Sequence, residues 1–141
     1  MASELTTRPP PSSIFSLSYP AQYVLLVTIN REKSMNCITT SAHWEADAIF
    51  SWYDNEPSLR VAIITGAGKK AFCAGQDLIE QAKFKLDPPP MSMRRHPSSG
   101  FCGISRRTGR KPVLAAVNGF ALGGGFEICL NWLVSLVCFL E

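Results

Sequence analysis

Residues 111–130, KPVLAAVNGFALGGGFEICL, constrain this chain more than any other stretch. An apolar run with strand character leads into three consecutive glycines, Gly123, Gly124 and Gly125, and then an acid, Glu127. Glycine lets the backbone take positive φ and brings bare N–H groups close to a ligand. A helix that begins at these glycines adds orphan N–H groups and a dipole that favour negative charge. Glu127 stands beside that position, between apolar Phe126 and Ile128. A carboxylate next to an anion-stabilising nest suits chemistry that forms and protonates an oxyanion. On these residues alone, a flexible glycine turn before a buried helix fits equally well.

At 141 residues the chain is long enough for one core, and its 46% apolar and 18% charged residues have a globular balance. The net charge of +3 is small, and no basic stripe with interleaved aromatics occurs, which argues against nucleic acid as a partner. The five cysteines are odd in number and contain no CxxC pair, so reduced thiols inside the cell are expected. His43 and His96 lie far apart in the sequence without ligand spacing, so no metal site is expected. The start, MASELTTRPPPSS, lacks the pattern of a secretory signal, and the closing LVSLVCFL is too short to span a bilayer.

Three domain segments are expected: a loose Ser/Thr/Pro-rich arm at 1–20, a folded body at 21–131 and a divergent tail at 132–141. Strands are predicted at 23–30, 60–66 and 112–118, the last two so apolar that both faces should be covered. A helix capped by Thr39 or Thr40 should run to about Asn55 and stop before Pro57. Its stripe of Trp44, Ala48 and Trp52, with Ile49 and Tyr53 beside it, reads as core. Strand and helix alternate, as in parallel βαβ units of an α/β fold. Residues 83–110 show no period and read as a mobile excursion holding at most a short helix.

In TGAGKKAFCAGQDL, residues 65–78, Gly66, Gly68 and Ala71 imitate a dinucleotide fingerprint. Gly75 interrupts the helix that such a site needs, and Asp87 falls in a proline-rich loop, so that reading is set aside. The better unit is FCAGQDL, residues 72–78. Small Ala74 and Gly75 let a ligand lie against the backbone, Gln76 offers its N–H, and Asp77 caps a helix opening at Leu78. Alone, this is a turn entering a helix. Paired with the glycine segment after another parallel strand, it supplies two backbone donors for one oxygen.

KKAFCAGQDL and KPVLAAVNGFALGGGFEICL resemble the two signature segments of the enoyl-CoA hydratase/isomerase (crotonase) family, and VLLVTINREKSMNCIT resembles its first strand and loop. The likeness covers most of residues 23–131. It implies a crotonase-like ββα spiral that binds an acyl-CoA thioester as substrate, with no tightly bound cofactor. Gln76 and Gly124 would hold the thioester oxygen through their N–H groups, and Glu127 matches one of two catalytic glutamates. Ala74, Gln76, Asp77, Leu78 and Gly124 would line the CoA site, with Arg31 or Lys33 a candidate phosphate contact. The reaction implied is hydration of a 2-enoyl-CoA, in fatty-acid or related acyl-CoA metabolism. Isomerase or dehydratase chemistry, or an inactive CoA-binding remnant, are the alternatives.

The likeness stops after Asn131, before the family's second acid and closing helices, so a spiral incomplete at its C-terminus is expected. Such a chain should be poorly soluble and hydrate enoyl-CoA slowly, if at all. An intact relative is expected to form homotrimers or hexamers; peroxisome, mitochondrion and cytoplasm are equally open as locations. A serine protease on a related fold is disfavoured, since no G-x-S-x-G elbow occurs and glycines and Glu127 occupy the position before the helix.

Overall fold

A computed structural model of the chain describes residues 5–93, 95–130 and 135–137. Arg94, Cys138, Glu141, the first four residues and most of the expected 132–141 tail lie outside these. Strands β1 (Phe15–Ser18), β2 (Val24–Ile29), β3 (Val61–Gly66), β5 (Val113–Val117) and β7 (Ser135–Val137) form one sheet in the order β1-β2-β3-β5-β7. The β1–β2 pair is antiparallel and every other pair is parallel. A second, two-stranded parallel sheet pairs β4 (Ala71–Cys73) with β6 (Phe120–Ala121).

Among the described residues the α-helices are α1 (Thr40–Asn55), α2 (Leu78–Phe84) and α3 (Gly124–Leu130), and the last two follow the short strands β4 and β6. The chain thus repeats one unit. A long strand is followed by a short strand and then a helix, as β3–β4–α2 and again as β5–β6–α3. An isolated parallel bridge between Ile38 and Gln76 joins the segment before α1 to the turn after β4. This is the ββα winding expected from the sequence.

The alternation of side chains along each strand decides where the core lies. Leu25, Val27 and Ile29, Ala62 and Ile64, and Val113, Ala115 and Val117 are buried and cluster with Ala42, Ala46, Ile49, Phe50 and Tyr53 of α1. The opposite face, with Leu26, Ile63 and Leu114, is only half-buried. The expectation of full cover on both faces is therefore corrected among the described residues.

Thr39 caps α1 by accepting from the Ala42 N–H, and Pro57 forces Glu56 into extended backbone that ends it. The expected core stripe is also corrected. Ile49 and Tyr53 are buried, but Trp44 is 41% exposed and Ala48 faces solvent. The inner face runs instead through Ala42, His43, Ala46 and Phe50.

Two more expectations give way. Far from loose, the described part of the 1–20 arm is tied down by two carboxylates. Glu56 accepts from the backbone of Thr6 and Thr7, and Glu45 accepts from Ser12 and Ser13. Phe15–Ser18 then joins the sheet. Residues 97–107 are likewise a packed turn, burying Phe101, Cys102 and Ile104. Local bonds such as Phe101 N–H to Ser105 Oγ at 2.8 Å, and distant ones such as Cys102 N–H to His43 Nδ1 at 2.9 Å, hold it, and no periodicity announces either.

Candidate active site

The turn after β4 and the entry to α3 meet. Gly75 holds φ +95°, a left-handed conformation that favours glycine, and its backbone lies against Leu122, Gly123 and Gly124. A Cβ there would sit 2.9 Å from the Leu122 carbonyl oxygen and 3.4 Å from the Gly124 nitrogen. Leu122 N–H donates to Cys73 O at 3.0 Å, and Gly125 packs so tightly on Cys73 that any side chain would strike its carbonyl. Glycine at 75 and 125 is what lets the two segments touch.

Gln76 is held from two directions. Ile38 N–H donates to Gly75 O at 2.8 Å, and Asp77 N–H donates to Ile38 O at 2.9 Å. That parallel bridge leaves the Gln76 N–H on the side away from Ile38. Its side-chain Oε1 lies 2.7 Å from His43 Nε2. Gly124 opens α3, so its N–H has no acceptor within the helix.

Asp77 caps α2, accepting from Ile79 and Glu80 N–H at 3.1 Å, and pairs with Arg31 at 2.9 Å. Burial pushes its carboxyl up, but these bonds outweigh that and hold it below the usual carboxylate range. Arg31 also donates to Cys37 O at 2.7 Å, so the guanidinium proposed for phosphate is engaged within the protein. Lys33 remains exposed. Ala74 donates to Met35 O, and Leu78, 72% exposed, stands at the surface where α2 begins.

Glu127 lies in the first turn of α3, exposed to an open pocket of about 500 Å³ that is also lined by His96, Phe101, Ser105 and Arg106. The structure thus brings the turn that carries Gln76 against Gly124 and places Glu127 in the first turn of α3, on a pocket shared with Phe101, whose ring packs on Gly124. Sequence reasoning missed the histidines. Separated in sequence, the His43 and His96 rings lie 4.2 Å apart between centroids, with Phe101 against both. Only the position of His43 on the inner face of α1 could have signalled this. Among the described residues no group of three or more His, Cys, Asp or Glu is placed to hold a metal ion. None of their helices is long and apolar enough to cross a membrane.

Known proteins resemble this chain in sequence and fold. The enoyl-CoA hydratase/isomerase family profile matches residues 20–132. A mevalonyl-coenzyme A hydratase of Beauveria bassiana is 48% identical over 130 residues, which cover 89% of this chain and 46% of that protein. One from Aspergillus fumigatus is 43% identical over 115 residues, covering 82% of this chain and 41% of its own length. A solved carnitinyl-CoA dehydratase from Mycobacterium avium superposes with a TM-score of 0.74 at 32% identity, over 88% of this chain and 46% of that one. The chain spans under half the length of these relatives. It belongs to the enoyl-CoA hydratase/isomerase family, and its repeated ββα winding is the crotonase-type α/β spiral.

Proposed function

We propose that the chain carries the thioester-binding part of an enoyl-CoA hydratase-type site. The observation that supports this most is the seating of Gly75 against Leu122, Gly123 and Gly124, which brings together the two turns that carry the Gln76 and Gly124 N–H groups. In this reading the thioester oxygen of a 2-enoyl-CoA accepts from both. Water adds to Cβ, negative charge builds on that oxygen, and preorganised donors lower the barrier by several kcal/mol. Glu127 takes a proton from the water and returns one to Cα, a role contributing about 10²–10⁴-fold. Run backwards, the same steps dehydrate a 3-hydroxyacyl-CoA. The two mevalonyl-coenzyme A hydratases make a mevalonyl-type thioester the first substrate to test beside crotonyl-CoA.

One observation favours a second reading. Among the described residues lining the pocket, Glu127 is the single carboxylate, which suits CoA binding without turnover. Calorimetry with CoA thioesters and absorbance of the enoyl bond separate the two. Binding is expected in either case, and a chain that binds none overturns both. Hydration that falls about 10²–10⁴-fold in Glu127→Gln, with CoA affinity kept, supports the catalytic reading. Equal loss of both would make Glu127 structural.

A further inference from the structure

His43 is buried, with 1% of its surface exposed, on the inner face of α1. Both ring nitrogens are used. Nδ1 accepts from the Cys102 N–H at 2.9 Å, so it carries no proton. Nε2 must then be the protonated nitrogen, donating to Gln76 Oε1 at 2.7 Å. The imidazole is neutral and its tautomer is fixed by its partners.

Those partners lead to the two carbonyl donors. Gln76 carries one of the N–H groups itself. Cys102 belongs to the packed 97–107 turn, whose Phe101 ring presses on Gly124 so closely that a Cβ there would strike it. The Phe101 ring also meets the His43 ring edge-on, at 4.7 Å between centroids. One side chain therefore ties α1, the 74–77 turn and the support beneath Gly124.

We propose that His43 is a positioning residue for the thioester carbonyl, fixing the spacing of the Gln76 and Gly124 N–H groups through these two hydrogen bonds. It touches no substrate and moves no proton. The proposal rests on the hydratase-type reading above. Burial pulls the imidazole down to about 4, partly offset by the bond to Gln76, and the neighbouring His96 lowers it further. His43 therefore stays neutral at neutral pH and keeps both bonds.

The test uses cinnamoyl-CoA, a conjugated thioester whose absorption moves to the red when its carbonyl is polarised. The unaltered chain should shift it. His43→Leu should keep affinity for CoA and lose most of the shift. His43→Gln should restore it, because a carboxamide places an acceptor and a donor on one carbon, as Nδ1 and Nε2 flank Cε1. A full shift in His43→Leu overturns the positioning role while leaving the hydratase reading intact. Parallel loss of CoA affinity and shift in both variants also overturns it, since the residue would then be merely structural. No shift in the unaltered chain with thioester bound sinks the hydratase reading and this proposal with it. Nitrogen NMR of the unaltered chain gives a check free of ligand. At about pH 6, where an exposed imidazole is largely protonated, His43 should be neutral with its proton on Nε2. An imidazolium or an Nδ1–H tautomer would overturn the proposal.

Discussion

At Gly75 a backbone angle and a contact coincide: φ is +95°, and the space a side chain would need is held by the Leu122 carbonyl. Gly75→Ala should cost about 1–3 kcal/mol. Urea denaturation would read this as a lower midpoint at unchanged slope, and an unchanged midpoint would show that the 122–124 segment yields instead. Glycine at 75 was legible in the sequence as a place for close approach, by a ligand in that reading and by Leu122 to Gly124 in the structure. His43 was not. Its part is set by partners 33 and 59 residues away, Gln76 and Cys102, and no local spacing encodes either. Glu56 is a similar case, its burial earned by threonine and serine donors from the chain's beginning and from Ser58.

Among elements, α2 depends on its first residue's neighbour. It spans seven residues with none buried, so packing contributes little and the Asp77 cap matters correspondingly more. Asp77→Ala should cost about 1 kcal/mol through the cap and loosen α2 locally, whereas Asp77→Asn should keep most of that. Amide exchange at Ile79 and Glu80 would report the difference; equal protection in both variants would mean the Arg31 pair was what mattered. The strands were readable because apolar β-branched runs have few alternatives. The face that α1 buries was misread in part because Trp44 looks like core by composition, whereas Ala46 and Phe50 turn inward. Trp52 does pack against the core, half-buried, with its ring N–H donating to Thr7 of the amino-terminal segment. The 97–107 turn escaped prediction for the opposite reason: bonds within a few residues and bonds back to His43 and Asp47 of α1 build it, with no period to detect.

Over the whole molecule, acid should unfold the chain in two overlapping stages. His43 titrates near 6.5 in the unfolded chain and near 4 in the fold. Between those values the unfolded state binds more protons, so stability falls as the pH is lowered and at most about 3 kcal/mol is gone below the lower value. Glu56 follows. Burial pushes its carboxyl up, but hydrogen bonds from Thr6, Thr7 and Ser58 prevail and hold it well below its unfolded value of 4.5. Its contribution is therefore present above that value and lost as pH drops further. Urea titrations stepped from neutral to acid pH should show the first loss beginning near 6.5. Stability that is flat down to about pH 5 would place His43 in water rather than in the core.

The bond that joins His43 to Cys102 has one more consequence, and it concerns time. Residues 59 apart must close a loop before that contact rewards them, and Gly75 must wait for Leu122. On the ribosome, a chain that has not yet delivered α3 has the first strands, a helix and a buried imidazole, but nothing for Gly75 to seat against. The proposed thioester site would thus be a late product of folding, and a ligand added during refolding should stabilise only the finished winding.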